Sequence, residues 1–313
     1  MTKPNILLAA DLPDWANHEL RTLFDVVELP KGDTAAFLKS HGPTLRGMAL
    51  RKTKVDVALL EALPALEIIS SYSAGLDNVD VKAVQARGIV LENTSHVLAE
   101  DVANTAIGLA LAVTRDFVNA DAFVRSGQWP KHGQYSLGRS ISRMRVGIVG
   151  FGTIGSTIAR RLAAFGSRVA YFGPSRKPVD LPYYDDVTRL AADCDMLILT
   201  CPLTPATHHL VDARVLQALG PRGFLVNISR GPVVDEQALV SALATDAIAG
   251  AALDVFEHEP EVPAALVGDR RLVLTPHIGS ATEETRRGMA ENVVDTLARH
   301  FQLAGPRDGT DAR

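Results

Sequence analysis

The sequence predicts an α/β protein of two doubly wound, parallel-sheet domains, one inserted into the other. Three observations carry that prediction. The 313 residues exceed the ~100–200 of one typical domain. Aromatic residues make up only 5% while Ala, Val, Leu and Ile abound, which suits strands buried on both faces beneath helices. Short apolar runs alternate with helical stretches along the whole chain.

In chain order the runs predicted as strands are Ile6–Ala9, Val26–Leu29, Ile68–Ser70 and Ile89–Leu91, then Val146–Val149, Val169–Phe172, Met196–Thr200, Phe224–Ile228, Ala249–Leu253 and Leu272–Thr275. Between the two groups, Glu100–Ala122 reads as one long helix, with Val102, Ala106, Leu109, Ala110, Val113 and Phe117 on one side. Its length fits a connector or a subunit contact. Ser95–Asp101 reads as a hinge with His96 facing solvent. Trp129 reads as a buried anchor under the long helix, with a contribution to a second subunit's site as the alternative. After Gly155, the 3–4 spacing of Ile158, Leu162 and Phe165 predicts a helix. The last helix, Glu283–Gln302, lies beyond the final strand and is expected to return to the first domain.

Composition excludes several classes of function. Lys plus Arg number 32 against 36 Asp plus Glu, a net charge of −4, so nothing favours non-specific binding to nucleic acid or membrane surfaces. No apolar run approaches the ~18–20 residues of a membrane span. The two cysteines, Cys194 and Cys201, have no neighbouring pattern of a zinc site, and no metal is expected. Two thiols in so long a chain point to a reducing, cytoplasmic compartment.

The strongest motif is R-V-G-I-V-G-F-G-T-I-G, residues 145–155. Gly150 permits a tight turn, Gly152 lets the backbone approach a pyrophosphate, and Gly155 lets the next helix pack close to its strand. Thr153 and Ile154 open that helix, whose N-terminal amides suit phosphate. A bare G-x-G-x-x-G is weak; a strand leading in, a helix leading out and a second strand at βαβ distance make it a Rossmann-like dinucleotide signature. About 100 residues precede it, so another domain comes first. At the end of the second strand an acidic residue would bind the ribose hydroxyls of NAD. This chain instead reads Y-F-G-P-S-R-K-P, and Ser175, Arg176 and Lys177 offer a hydroxyl and two cations to a 2′-phosphate. NADP is therefore expected over NAD.

Three further segments end at predicted strand termini, where an open α/β sheet binds its ligands. N-I-S-R-G-P-V-V-D-E contributes Arg230, A-A-L-D-V-F-E-H-E-P contributes Asp254 and Glu259, and L-T-P-H-I-G-S contributes His277. An Arg that holds a carboxylate and polarises a carbonyl, a His that delivers a proton and a Glu that orients the imidazole can together reduce a 2-oxo acid.

With these motifs the chain resembles the D-isomer-specific 2-hydroxyacid dehydrogenase family, from A-L-P-A-L-E-I-I-S-S-Y-S-A-G-L-D-N-V-D (62–80) through P-H-I-G-S-A-T (276–282). C-P-L-T-P-A-T (201–207), A-L-G-P-R-G (218–223) and Y-F-G-P-S-R-K-P look most like its NADPH-preferring hydroxyphenylpyruvate and glyoxylate/hydroxypyruvate reductases. The resemblance implies Arg230 as substrate-binding Arg, Glu259 as the carboxylate behind the His, and His277 as acid/base. Ala74 and Gly75 match the outer-domain loop whose amides hold the substrate carboxylate. Cys201, Pro202, Thr207, Ile228, Ser229, Asp254 and Gly279 match positions on the cofactor side, with Asp254 a possible acceptor for the carboxamide. Where such reductases carry Ser-Arg-Ser, this chain has Gly173-Pro174-Ser175, so the phosphate role passes to Ser175, Arg176 and Lys177. Where family members read Thr-Pro-Asp near the hinge, it has Thr94-Ser95-His96. The resemblance further implies a substrate domain of residues 1–98 plus 286–313 around a cofactor domain of 99–285, with substrate bound in the cleft between them. It also implies a homodimer through the helix near 100–120. Side-chain specificity is expected from residues near Arg51, Tyr72 and Ala74. The alternatives are a nucleotide-sensing, corepressor-like regulator of the same fold, formate or phosphite oxidation, or another substrate such as 2-ketogluconate.

Overall fold

A computed structural model describes residues 3–303. The chain divides into two compact units, Met1–Leu98 with Thr282–Arg313, and Ala99–Ala281. The second crossing falls at 281/282, not at the expected 285/286. Thr282 caps the helix Glu283–His300 through its side chain, and a cut at 286 would split that single element.

The first unit holds a five-stranded sheet of β1 (Asn5–Ala9), β2 (Asp25–Glu28), β3 (Gly47–Leu50), β4 (Ile68–Ser71) and β5 (Val90–Glu92), in the order β2-β1-β3-β4-β5. Every pairing is parallel. Sequence reading misses β3. Its residues, Gly-Met-Ala-Leu, have little β-propensity, and only burial makes them a strand. Space at position 47 is tight: a Cβ there would lie 3.0 Å from Ile6, 3.1 Å from Phe301 and 3.3 Å from Leu297, so those side chains would have to give by a few tenths of an ångström. The last two belong to the C-terminal helix and its end, which pack on this sheet through the buried Val293, Val294 and Leu297.

The second unit holds seven parallel strands: β6 (Arg145–Val149), β7 (Arg168–Phe172), β8 (Tyr183–Tyr184), β9 (Met196–Leu199), β10 (Phe224–Asn227), β11 (Gly250–Leu253) and β12 (Leu272–Leu274). Their order is β12-β11-β10-β9-β6-β7-β8. β9, β10 and β11 are buried at every position, as central parallel strands covered on both faces must be. β8, two residues at the sheet edge, is too short for a periodic signal. The strand order reverses between β6 and β9, and the crevice outside their carboxyl ends is where such a sheet binds ligands.

The predicted long helix is two helices. Ser95–Arg115 and Phe117–Arg125 are separated by Asp116, whose φ of 54° is left-handed and breaks the hydrogen-bond ladder. Residues 95–101, expected as a hinge, form the first turns of the former. That 21-residue helix is long and apolar enough by composition to cross a membrane, contrary to the run count. Leu98, Val102, Ala103, Ala106, Leu109 and Ala110 are nevertheless buried inside the protein, as in a core helix. Trp129 is 57% exposed, so the anchor reading fails.

Candidate active site

Among the described residues, six helices begin at an Asp whose carboxylate accepts from the first-turn amides: Asp33, Asp56, Asp80, Asp186, Asp212 and Asp235. The helix Thr153–Ala164 starts differently, at Gly152, with no side-chain cap. The glycine turn before it is sterically enforced. Gly150 has φ of 96°, and a Cβ on it would lie 2.7 Å from the backbone N of Cys201. A Cβ on Gly155 would lie 2.3 Å from the Gly150 carbonyl oxygen. At Gly152 a Cβ would meet no protein atom, so nothing in the protein demands glycine there. A pyrophosphate approaching the uncapped start of this helix would be a reason for it, because the first amides of a helix suit phosphate. A dinucleotide therefore fits this chain. Thr200, which sequence reading passes over, donates its hydroxyl to the Gly150 carbonyl at 2.5 Å and ties β9 to the turn.

The basic turn after β7 is held by two tyrosines. The Tyr171 hydroxyl accepts from the Lys177 amide at 2.7 Å, and the Tyr183 hydroxyl donates to the Gly173 carbonyl at 3.1 Å. Tyr171 is fully buried and packs its ring on Phe151 of the glycine turn, with centroids 4.3 Å apart. Ser175, Arg176 and Lys177 are exposed.

The other half of the edge is assembled from side chains following β10, β11 and β12. His277 Nδ1 lies 2.8 Å from Glu259 Oε2. The other oxygen of Glu259 accepts from the Phe256 amide at 3.2 Å, so the carboxylate is oriented on both sides. His277 itself has φ of 53°, a left-handed conformation rare without glycine. Asp254 enforces it. Its buried carboxylate accepts from Thr275 Oγ1 (2.6 Å), the Ile278 amide (2.8 Å) and the Gly279 amide (2.8 Å), and its carbonyl accepts from the His277 amide. Three of the about four lone-pair sites of that carboxylate are thus used inside the protein. Its visible work is to shape the histidine loop.

Arg230 follows β10 in an extended conformation, one residue before a short 3₁₀ turn. Its Nη1 donates to the Ser229 carbonyl at 2.6 Å. Asn227, buried and absent from the sequence reading, donates to the Arg230 carbonyl at 3.0 Å and accepts from the Ser229 amide and hydroxyl. Its carbonyl also accepts from the Asp254 amide, so one residue links the arginine and histidine loops. A polar side chain ending a fully apolar strand is the signal that could have found it, since buried amides need partners.

The remaining predicted positions divide. Ile228 and Ser229 are buried beside Asn227, and burial pushes the Cys201 thiol up to about 11. The Thr207 hydroxyl is engaged within its own loop, donating to the Pro202 carbonyl at 2.6 Å and accepting from the Thr204 amide at 2.7 Å. It shapes that loop. Ala74 and Gly75 lie in the first unit, in the loop after β4, where Asn93 Nδ2 donates to the Ala74 carbonyl at 3.2 Å.

Comparisons with known proteins show which family this chain belongs to. Residues 107–279 match the model of the D-isomer-specific 2-hydroxyacid dehydrogenase NAD-binding domain. The chain is 50% identical to a hydroxyphenylpyruvate reductase of Plectranthus scutellarioides, over 79% of each chain. It is 44% identical to a 2-ketogluconate reductase of Gluconobacter oxydans, over 85% of this chain and 83% of that protein. Among solved structures, an NADPH-dependent glyoxylate/hydroxypyruvate reductase from Sinorhizobium meliloti, in complex with NADP and malonate, superimposes with a TM-score of 0.86. The two share 41% identity over 96% of this chain and 94% of that one.

Proposed function

This chain belongs to the D-isomer-specific 2-hydroxyacid dehydrogenase family, oxidoreductases with a nicotinamide-dinucleotide-binding domain, and from that premise we propose that it reduces a 2-oxo acid to the D-2-hydroxy acid with NADPH as preferred cofactor. The observation that carries this reading is the His277–Glu259 pair, held at 2.8 Å on the carboxyl edge of the sheet that bears the glycine turn.

The bound cofactor supplies the hydride that reduces the carbonyl carbon. Arg230 binds the substrate carboxylate and polarises the carbonyl oxygen. Imidazolium His277 gives a proton to that oxygen as its negative charge develops, and Glu259, facing Nδ1, leaves Nε2 as the delivering nitrogen. Ala74 and Gly75 are assigned to the substrate carboxylate on the family resemblance. Ser175 and Arg176, with Lys177, supply the contacts that favour a 2′-phosphate, and the absence of a carboxylate there removes a repulsion.

The substrates we place first are glyoxylate and hydroxypyruvate, with hydroxyphenylpyruvate and 2-ketogluconate as larger candidates. The test is kcat/KM for each with NADPH and with NADH, with chiral analysis of the product. Failure to reduce any 2-oxo acid, or formation of the L product, overturns the reading. We also propose a homodimer. Phe117, Val118, Val124, Trp129 and Leu137 are exposed on one stretch of chain, Leu137 at 89%, and apolar side chains so concentrated mark a contact surface. Light scattering should give twice the chain mass, and Leu137→Asp should shift it toward monomer. The two buried thiols support a cytoplasmic location.

A further inference from the structure

A second histidine–glutamate pair draws its glutamate from the same loop as the first. His209 Nε2 lies 2.5 Å from Glu257 Oε1, and Glu257 is two residues from Glu259. His209 and His277 are also the two histidines among the described residues with left-handed backbones, at φ of 50° and 53°. A non-glycine residue persists in that region where its surroundings over-determine it. For His277 the surroundings are the Asp254 network. For His209 they are two segments of the site itself.

The His209 amide donates to the Pro232 carbonyl at 2.8 Å, and Val211 continues the contact by donating to Val233 and pairing with Val234. That tract begins with Arg230 and Gly231. Its backbone lies so close to the glutamate loop that a Cβ on Gly231 would sit 1.9 Å from the carbonyl carbon of Phe256 and 2.3 Å from the Glu257 nitrogen. The Glu257 amide in turn donates to Glu236 Oε1 at 2.8 Å, and the neighbouring Phe256 amide holds Glu259 Oε1. The titratable groups around His209 are Glu257, Glu236 behind it, the His208 ring stacked at 4.0 Å, and His258 near Glu236.

We propose that His209 is a positioning residue: it clips the Arg230 turn, through its backbone, to the Glu259 loop, through its ring. This rests on the reading of Glu259 and His277 as the proton-delivering pair. His209 touches neither of them and acts through Glu257 and Phe256.

The test is the pH profile of kcat/KM for hydroxypyruvate reduction with NADPH, in wild type, Glu259→Gln, His209→Ala, the double variant and His209→Gln. Loosening the loop by about an ångström should lower kcat/KM roughly ten- to a hundredfold in His209→Ala. The alkaline limb should move to lower pH in Glu259→Gln, and in the same direction in His209→Ala. The double variant should move it no further than Glu259→Gln alone, because both changes act on one contact. His209→Gln, whose amide nitrogen can likewise donate to a carboxylate, should recover activity to within about threefold of wild type. If Glu259→Gln moves the limb and His209→Ala does not, the clip is wrong and the catalytic reading stands. If Gln serves no better than Ala, the ring's bond to Glu257 is not what matters, and the proposal falls. If Glu259→Gln leaves the limb in place, the catalytic reading itself fails and takes the clip with it.

Discussion

Around β6 and β7 the carboxyl edge of the large sheet is shaped by atoms that are missing, whereas around β10, β11 and β12 it is shaped by side chains tied to one another. Gly150, Gly152 and Gly155 act by lacking a Cβ: two against protein backbone, the third against nothing in the protein. Asn227, Asp254, Glu259 and His277 act by hydrogen bonds across three strand ends. On the proposed function, the contrast follows from the work each half would perform. A pyrophosphate is recognised by amides that any sequence carries, so the chain has only to let it come near. Proton delivery needs particular groups at particular angles, so each must be held by others.

The two halves should therefore break differently. The largest effect belongs to the side-chain half. His277→Ala should lower kcat by ~10²–10⁴-fold and leave NADPH affinity, read by fluorescence titration, close to wild type. Turnover at the wild-type rate would remove His277 from the mechanism. The glycine half should lose binding instead, and its two kinds of glycine should separate. Gly155→Ala drives a methyl into the Gly150 carbonyl, an overpacking that costs about 1–3 kcal/mol, so thermal stability and NADPH affinity should fall together. Gly152→Ala should keep the wild-type Tm and weaken NADPH alone, by about tenfold or more for each ~1.4 kcal/mol of lost phosphate contact. Equal loss of Tm in both variants would mean that Gly152 serves the fold.

A change at the basic turn sharpens the comparison, because there the backbone-built half uses side chains. Ser175→Asp with Arg176→Ala should cut kcat/KM for NADPH by roughly 10–100-fold, the range of a charge-assisted contact of ~1.5–3 kcal/mol. The gain with NADH should be smaller, since the new Asp lies two residues past the usual acidic position. Both cofactors must be measured at one salt concentration. A wild type that already prefers NADH would show that the turn does not read the phosphate.

The smallest effect concerns Glu236, whose carboxyl is held above its ordinary value of 4.5 by burial. A carboxyl raised in the folded state binds its proton more tightly there, so stability falls as pH rises from the unfolded value through the folded one. Glu236→Gln keeps an oxygen for the Glu257 amide and removes that loss. Its Tm relative to wild type should be higher at about pH 7 than at about pH 4. A difference independent of pH would mean that Glu236 is not paying a burial penalty as a charge.

Ten of the twelve strands among the described residues, the glycine turn and the pairing of His277 with Glu259 were legible in the sequence, for a common reason. Apolar runs, a strand-turn-helix of glycines and reactive residues just past strand ends are local patterns, and local sterics and burial act on them directly. β3 was not legible, because Gly47-Met48-Ala49-Leu50 has little β-propensity of its own and is buried in part by Leu297 and Phe301, some 250 residues away. The break at Asp116 was hidden too, within an unbroken helical period. What only the tertiary structure decided is the choice of partners. Asn227 with Asp254, Asp254 with the loop of His277, Thr200 with Gly150 and His209 with Glu257 are pairs more than 20 residues apart in sequence. A hydrogen bond depends on distance and angle at its two ends, and no periodicity of the chain records which ends the fold will bring together.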